Sequence, residues 1–350
     1  METQSVNVLT LKWGTLYPAE YVNRIYLGVK AHLSRPFRFV CVTDDPSGLA
    51  DGIDAVPFPP RPKGVRMLGK YAGWPNIYVK LLVFEKGFAN LSGPTLFLDI
   101  DQIVMGDLDR FFDYRPGKFC IIHNWVEWRK RLFRKVPFCG NSSCFRFDAG
   151  DASDYIYRNF LRDGDIALDQ SRFSTEQQYM THAVGFGNVN FWPDNFVRSF
   201  KRSCTWPWPL NHFLMPRLNP DTGILCFHGS PSPEQAIAGF RGKHLNTWTR
   251  PCPWIRDRWG IAGFRESHDF RGVESDKTSP SGDGRLRTFR EAADDRTNRL
   301  FGVQGARLFM ARRVHGAARG HERGADLKLC RRMCTSVRRL TARIVVRAVG

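Results

Sequence analysis

The sequence predicts an α/β fold with a mainly parallel, twisted sheet flanked by helices. Apolar runs of strand length alternate with segments of helical periodicity, an order that is typical of parallel sheets. Of the 350 residues, 42% are hydrophobic and 13% aromatic, which is enough for one substantial core. A pair of aspartates directly follows one apolar run, and open α/β sheets bind ligands at the carboxyl ends of their strands.

The first hundred residues predict three strands and two helices. Strands are expected at residues 6–11, 37–43 and 95–98. Tyr21, Ile25, Val29 and Leu33 recur every four residues and predict a helix between the first two strands. A second helix is expected over residues 76–85. The proline-rich residues 57–64 predict a surface loop, because proline removes backbone donors.

The following 160 residues continue the same alternation. Strands are predicted at residues 119–123, 144–147 and 224–227, and helices at residues 152–161 and 175–183. Most of the later tryptophans are expected in the core. These are Trp206, Trp208, Trp248, Trp254 and Trp259.

A change in composition divides the chain into three parts. We expect a catalytic domain at residues 1–263, an arginine-rich linker of low order at 264–328 and a basic amphipathic helix at 329–350. From residue 265 onwards 20 Lys and Arg oppose 10 Asp and Glu, which accounts for +10 of the net charge of +18. The tail helix has three open interpretations: a membrane-surface anchor, a polyanion contact or a segment without function.

Charge, hydropathy and cysteines limit the classes of protein and the compartment. The positive charge suits phosphorylated sugar donors, anionic lipid and nucleic acid alike, and no motif indicates a specific nucleic-acid partner. No apolar run reaches the roughly 18 residues of a membrane span, and the first residues do not resemble a signal peptide. We therefore expect a cytoplasmic protein, with the inner membrane face as a peripheral site if the tail anchors it. The nine cysteines form no C-x-x-C pair and are expected to be reduced and mostly buried.

The segment PTLFLDIDQIVMGDLD carries the strongest chemical signal. Asp99 and Asp101 follow an apolar strand, and alternate residues of an extended chain point the same way. Both carboxylates can then bind one hard divalent cation, Mg²⁺ or Mn²⁺, that also bridges phosphate oxygens and stabilises a departing diphosphate. By itself a D-x-D sequence is a weak signal, because acidic residues commonly end strands in solvated loops.

With its other motifs, the chain resembles GT-A fold glycosyltransferases of family 8, the glycogenin and lipopolysaccharide galactosyltransferase type, over roughly residues 6–259. The resemblance rests on motifs in a fixed order. They are Lys80 on the helix before the D-x-D pair, Asp99 and Asp101 themselves, Asn141-Ser142-Ser143 in place of N-[SA]-G, Glu176-Gln177 in place of D-Q, and His228 followed by Gly229.

This resemblance implies a role for each motif. Asp99, Asp101 and His228 would be the metal ligands, and the imidazole favours Mn²⁺ over Mg²⁺. Asn141, Glu176 and Gln177 would lie near the donor sugar, and Lys80 and Gly229 near the rest of the donor. Two interpretations stay open beside these: His228 satisfied at a strand end, and Glu176 as part of a helix cap with Ser174 and Thr175.

The first loop and the diphosphate region complete the implied donor site. The loop from Thr10 to Tyr17 would hold the nucleotide base, with Trp13 or Tyr17 stacked on it; alternatively Trp13 covers the sheet edge and Tyr17 begins the helix. Family members carry a lysine after the histidine, but Ser230 and Ser232 follow His228 here. Lys201, with Lys70 as second candidate, is predicted to bind the diphosphate instead.

The resemblance implies a retaining transfer of a sugar from a UDP-sugar to an unknown acceptor, such as a cell-surface glycan or a glycolipid. The aromatic and basic residues 125–136 could bind that acceptor, or form a solvated helix with one packed face. Two other functions remain open: a degenerate transferase fold that binds polyanions or membranes through its tail, and a nucleotidyltransferase that releases pyrophosphate.

Overall fold

The described part of the chain contains ten strands, which form two sheets. The computed structural model describes residues 5–63, 65, 73–125, 139–169, 172–173 and 175–260. The predicted linker, the predicted tail helix, Lys70 and Ser174 lie outside these residues. The strands are β1 (Val6–Lys12), β2 (Phe37–Thr43), β3 (Ile53–Val56), β4 (Gly93–Leu98), β5 (Gln102–Val104), β6 (Cys120–His123), β7 (Gly140–Ala149), β8 (Asn190–Phe191), β9 (Val197–Ser199) and β10 (Ile224–Cys226).

The larger sheet has seven strands in the order β3-β2-β1-β4-β7-β6-β8. The pairs β3-β2, β2-β1, β1-β4 and β6-β8 are parallel, whereas β7 runs antiparallel to both of its neighbours. The predicted fold class, a mainly parallel sheet with flanking helices, is thereby confirmed. Because β1 lies between β2 and β4, the chain reverses its direction of winding at β1, and a crevice forms at the carboxyl ends of such strands.

The helices are short apart from the first. They are α1 (Ala19–His32), α2 (Val79–Leu82), α3 (Asp109–Asp113), α4 (Asp154–Asp163), α5 (Asp165–Leu168), α6 (Glu176–Val184), α7 (Pro233–Ala238) and α8 (Pro253–Trp259). The predicted stripe on α1 is confirmed, because Tyr21, Ile25, Val29 and the following Leu33 are all buried in the core.

The helix that carries Lys80 is shorter than the predicted 76–85. The side-chain oxygen of Asn76 accepts a hydrogen bond from the backbone N–H of Tyr78 at 2.9 Å, which competes with helix formation at this end. Beyond Leu82 the chain continues with three-residue turns, such as Glu85 N to Leu82 O at 3.0 Å. Lys80 therefore lies on a single buried helical turn.

Strand β7 is longer than the predicted 144–147 and contains the whole Asn141-Ser142-Ser143 motif. It pairs with β4 on one side and β6 on the other, and the ladder with β6 shifts register between Ile121 and Ile122. Ser142 and Ser143 are buried although they are polar. Because these serines are polar, hydropathy did not predict the first part of the strand. Its pairing with β4 and β6 identifies it.

A second, three-stranded sheet in the order β5-β10-β9 was not predicted. Strand β5 begins directly after Asp101 and pairs antiparallel with β10. Beyond the last ladder pair, Phe227 N donates to Asp101 O at 3.1 Å. This sheet therefore brings the segment before His228 against the D-x-D segment.

The largest fully buried side chain belongs to Arg146 of β7. Its guanidinium donates to the carbonyl oxygens of Phe111, Phe112, Tyr114, Arg115 and Lys118 at 2.5 to 3.1 Å. These bonds connect β7 to the end of α3 and to the turn that follows it. Burial lowers the pKa of Arg146, and the five carbonyl acceptors compensate for the lost hydration.

The expectation that most later tryptophans lie in the core is wrong. Of the five, only Trp259 is buried, and Trp208 is 60% exposed. Pro207 and Pro209 interrupt regular structure around Trp206 and Trp208, whereas Trp254 of α8 is half-buried and packs against the core.

The cysteines agree with the prediction in the described residues. Cys41, Cys120, Cys139, Cys144, Cys204, Cys226 and Cys252 are buried and form no disulfide. Burial raises the pKa of the Cys41 and Cys252 thiols to about 12. In the same part of the chain, no helix combines the length and the apolar character required to cross a bilayer.

Candidate active site

The candidate site lies at the edge of the large sheet where β1 and β4 end. The two strands are parallel neighbours, with Leu9 opposite Phe97, so their carboxyl ends meet at the same edge. Asp99 directly follows β4, and its backbone N–H donates to Ser143 O of β7 at 2.9 Å. The D-x-D segment therefore begins at the place where the sequence predicted a binding crevice.

Lys80 and Asp99 form a shielded ion pair. Lys80 Nζ lies 2.7 Å from Asp99 Oδ1, and the two side chains are only 5% and 12% exposed. The same ammonium donates to Ser142 O at 3.3 Å and lies 5.2 Å from the centre of the Phe97 ring. The structure thus brings the predicted lysine, the first aspartate and the Asn141-Ser142-Ser143 motif together.

Ser142 connects this pair to Glu176 and Gln177. Its hydroxyl donates to Glu176 Oε1 at 2.7 Å, and its backbone N–H donates to Gln177 Oε1 at 3.4 Å. Glu176 is 4% exposed at the start of α6. Asn141 directs its side-chain oxygen to Ser143 N at 2.9 Å. The two sequence motifs, 35 residues apart, are therefore one hydrogen-bonded unit.

The helix-start interpretation of Glu176 stays open beside this network, because Glu176 is the first residue of α6 and Ser174 lies outside the described residues. Thr175 is the N-cap residue of α6, and its side chain makes no cap hydrogen bond. Since the carboxylate of Glu176 accepts from Ser142, the residue belongs to the network at the strand edge. The buried carboxylate of Glu176 has one neutral donor, the hydroxyl of Ser142. A carboxylate can accept several hydrogen bonds, so Glu176 can also bind a sugar hydroxyl.

Asp101 and His228 approach each other through the small sheet. Asp101 is 3% exposed, and its carbonyl oxygen accepts from Phe227 N, the residue before His228. His228 Nε2 lies 2.7 Å from Ser199 Oγ at the end of β9. The imidazole also stacks on Trp125 with 5.6 Å between ring centres and 24° between planes.

The donor atoms fit a divalent metal chemically, but they are not arranged as a finished site. Among residues 5–260, apart from the undescribed gaps, no three His, Cys, Asp or Glu side chains are grouped to hold a metal. Asp99 contacts Lys80 and His228 contacts Ser199. Two carboxylates and one imidazole on paired segments nevertheless supply the hard and borderline ligands that Mn²⁺ accepts. Binding of the ion through His228 Nε2 would require this nitrogen to exchange Ser199 Oγ for the ion.

The first loop starts later than the sequence suggested. Thr10 lies inside β1 and its side chain is fully buried, so only its backbone could contact a nucleotide. Trp13 packs edge-on against Phe58 with 6.1 Å between ring centres, and Tyr17 packs against Tyr21 at 4.9 Å. Gly14 N donates to Asp44 Oδ2 at 2.9 Å, which fixes this loop to the end of β2.

Lys201 and Gly229 lie on the two segments that meet at His228. Gly229 has φ of +66°, a conformation that a side chain would disfavour, and it turns the chain directly after the histidine. Lys201 lies in the helical turn Phe200–Cys204 that follows Ser199, the residue in contact with His228. Its predicted role at a diphosphate stays a prediction.

The sequence analysis did not assign four residues to the surroundings of the site: Ser199, Gln102, Tyr21 and Glu234. Ser199 contacts His228, and Gln102 Nε2 donates to Ser143 O at 2.6 Å. Tyr21 donates through its hydroxyl to both carboxylate oxygens of Glu234, at 2.6 and 2.7 Å. Only Glu234 had a local signal, because Ser232-Pro233-Glu234-Gln235 is a capping-box sequence and forms that box at the start of α7.

The pKa of Tyr21 reflects its surroundings at this end of the molecule. Burial raises the pKa first, the hydrogen bond and charge of Glu234 raise it further, and smaller contributions come from Tyr17 and Asp101. Helix α1 packs against β5, the strand that directly follows Asp101. The tyrosine hydroxyl is therefore a neutral donor at the border of the site.

Comparison with known proteins adds similarities in structure only. No protein-family model matches the chain, and no curated protein matches it. The chain is similar to the solved structure of the galactosyltransferase LgtC in complex with donor and acceptor sugar analogues, with 12% identity and a TM-score of 0.43, over 73% of this chain and 95% of that chain.

Two further solved structures are similar at the same level. The bifunctional glycosyltransferase WbbM has 12% identity and a TM-score of 0.45, over 65% of this chain and 46% of that one. The glycosyltransferase GlyE of Streptococcus pneumoniae has 12% identity and a TM-score of 0.40, over 66% and 56%. At these values the similarity does not assign an activity to this chain.

Proposed function

We propose that this protein is a metal-dependent glycosyltransferase that moves a sugar from a nucleoside diphosphate, UDP by the sequence resemblance, to an acceptor hydroxyl. One observation carries the proposal. Lys80, Asp99, Ser142 and Glu176 form a continuous buried polar network at the edge where β1 and β4 end. Burial of a polar network costs more free energy than burial of apolar side chains. Such a network at the ligand-binding edge of an α/β sheet therefore indicates a binding site.

The network supports a division of roles among its residues. The ammonium of Lys80 holds Asp99 in one orientation and keeps part of its charge neutralised in a shielded environment. Asn141, Glu176 and Gln177 offer amide and carboxylate groups that would bind hydroxyls of the donor sugar. Trp13, Tyr17 and the backbone at Thr10 would bind the base, and Lys201 and Gly229 the diphosphate.

Asp99, Asp101 and His228 would hold Mn²⁺, or Mg²⁺. When bound, such an ion neutralises negative charge on the diphosphate oxygens and so makes the diphosphate a better leaving group. The residues of the chain orient the donor: the network around Ser142 fixes the sugar, and the first loop fixes the nucleotide. This preorganisation lowers the barrier without reorganising the site during the reaction.

The proposed transfer breaks the bond between the anomeric carbon and the diphosphate oxygen, and the leaving diphosphate keeps the electron pair. The acceptor oxygen forms the new bond on the same face of the sugar, which gives retention of configuration. Its proton passes to an oxygen of the leaving diphosphate. No strong base is needed on the protein, because the leaving group accepts the proton. The acceptor would be a cell-surface glycan or a glycolipid.

Donor hydrolysis tests this function without knowledge of the acceptor. The full chain is incubated with Mn²⁺ and a panel of UDP-sugars, and free UDP is measured. We expect hydrolysis of at least one donor and its loss in Asp101→Asn, with Asp51→Asn, an exposed aspartate, as the matched control. Hydrolysis that survives both chelation and Asp101→Asn would overturn the proposal, and release of pyrophosphate would identify a nucleotidyltransferase.

A second candidate function rests on the missing lysine. The first charged residue after His228 is the anionic Glu234, whose carboxylate accepts a hydrogen bond from Tyr21. Residues 229–233 therefore supply no cation for a diphosphate. A degenerate transferase fold that binds polyanions would have this feature. Calorimetry distinguishes the two functions, because Mn²⁺-dependent binding of UDP supports the enzyme and salt-sensitive binding of any polyanion supports the binding module.

A further inference from the structure

Most of the large apolar side chains that the described residues expose are gathered on one surface. Of ten such residues, six belong to this group, which we call the apolar surface. They are Trp208, Phe213, Leu214, Met215, Leu218 and Leu245. Phe213 is 75% exposed. Isolated exposed apolar residues are ordinary, but a concentration of them indicates contact with an apolar partner.

The apolar surface is held in a fixed conformation. Asn211, itself 2% exposed, donates through Nδ2 to Leu245 O at 2.9 Å and to Trp248 O at 2.8 Å, which joins residues 208–218 to Leu245. Trp206 Nε1 donates to Met215 O, and Trp254 Nε1 donates to Pro216 O, both at 3.0 Å. These carbonyl groups already have partners, so an apolar environment would not leave them unsatisfied.

Cations accompany the apolar side chains. Neither residues 195–220 nor residues 235–256 contain an Asp or Glu. The exposed basic residues of the two segments include Arg202, Arg217, Arg241, Lys243 and Arg250. The guanidinium of Arg217 lies 4.3 Å from the ring centre of Trp206, and that of Arg241 lies 5.3 Å from that of Trp248. Arginine beside tryptophan is the combination that suits the boundary between water and lipid.

A cavity beside the apolar surface adds a place for an anionic group. It has a volume of about 460 Å³ and is lined by residues that include Asn211, Arg241, Trp248 and Arg250. Two arginines line this cavity, and guanidinium groups can donate paired hydrogen bonds to a phosphate.

We propose that the apolar surface binds to an anionic phospholipid bilayer. The apolar side chains would enter the boundary between headgroups and acyl chains, and the surrounding cations would bind headgroup phosphates. A second copy of this chain fits less well, because pairing two such surfaces would bring like charges together. This inference goes beyond sugar transfer, and it assigns membrane contact to residues 208–218 and Leu245 rather than to the predicted tail helix.

Vesicle flotation of the full chain tests the inference. The vesicles contain phosphatidylcholine alone, or phosphatidylcholine with phosphatidylglycerol. The test variant is Phe213→Ser/Met215→Ser, and the matched control is Ile166→Ser/Phe186→Ser, which removes two exposed apolar side chains elsewhere. We expect wild type to float with the anionic vesicles and the partition coefficient of the test variant to fall by about tenfold or more, since each buried side chain contributes to binding.

Several outcomes would overturn the inference: no flotation of wild type, equal flotation of the test variant, or equal loss in the control variant. The remaining alternative is that the apolar surface joins two copies of this chain, and light scattering tests it. A dimer that becomes a monomer in Phe213→Ser/Met215→Ser would support that alternative and overturn the inference. Charge reversal in Lys243→Glu/Arg250→Glu should weaken binding to anionic vesicles only. Donor hydrolysis without vesicles should not change, so a failure here leaves the proposed function intact.

Discussion

Lys80 Nζ lies 2.7 Å from Asp99 Oδ1 in a setting where both side chains are almost completely shielded from water. Shielding makes the pair costly to break, because the remaining partner would be an uncompensated buried charge. The pair therefore links the stability of the sheet edge to the charge of the D-x-D segment. Its contribution to the free energy of unfolding can be measured without a substrate.

Replacement of Lys80 by methionine should destabilise the fold. We expect Lys80→Met to lower the free energy of unfolding by about 3 kcal/mol, because Asp99 loses its cation. Urea denaturation measures this loss. The matched control is Lys86→Met, which breaks an exposed pair with Asp151 and should leave stability nearly unchanged. The double variant Lys80→Met/Asp99→Asn should regain most of the lost stability but remain inactive. A similar loss in both single variants would contradict the buried-pair interpretation.

Ser142 and Glu176 should show energetic coupling. In a double-mutant cycle of Ser142→Ala and Glu176→Ala, we expect a coupling energy of about 1 kcal/mol or more in the free energy of unfolding, because one hydrogen bond joins two buried groups. Chemical denaturation of the four proteins provides the value. Strictly additive effects would mean that the 2.7 Å contact contributes nothing.

His228 should determine the requirement for manganese. We expect His228→Ala to raise the Mn²⁺ concentration for half-maximal donor hydrolysis by about tenfold or more, since one of three ligands is lost. Electron paramagnetic resonance of free Mn²⁺ gives a readout that is independent of activity. His212→Ala is the control. His212 donates through Nε2 to Leu245 O and so lies beside the apolar surface, and it is not one of the proposed metal ligands. Unaltered Mn²⁺ binding in His228→Ala would remove the imidazole from the ligand set.

Stability should fall at high pH because of Tyr21. Burial and the carboxylate of Glu234 raise the pKa of Tyr21 above its ordinary value of 10.0. The unfolded chain therefore loses this proton first as the pH rises through about 10, so it binds fewer protons than the folded chain and stability decreases. Tyr21→Phe should reduce the slope of stability against pH above about 10 while leaving the slope near neutral pH unchanged. An identical slope in both proteins would exclude this explanation.

The sequence alone predicted the strands and the long helix that have strong local patterns. Strands β1, β2 and β4 each contain a mainly apolar run, and α1 has its stripe every four residues, so hydropathy and periodicity were sufficient. The resemblance to family 8 also implied that Asn141, Glu176 and Gln177 lie near the donor sugar, and these residues belong to the network around Ser142. Local patterns cannot indicate contacts between distant residues, and the hydrogen bond between Ser142 and Glu176 became evident only in three dimensions.

Tertiary structure decided what the short strands do. Strands β5, β9 and β10 have three residues each, too few to show a period, yet their pairing brings Asp101, Ser199 and His228 to one place. The exposure of Trp208 and Phe213 was likewise undetermined by sequence, because an aromatic residue has the same identity in a core and on a surface. Only the packing of the surrounding chain, through Asn211 and its two carbonyl partners, directs these rings outward. The sequence thus determined which groups are available, and the fold determined which of them meet and which face solvent.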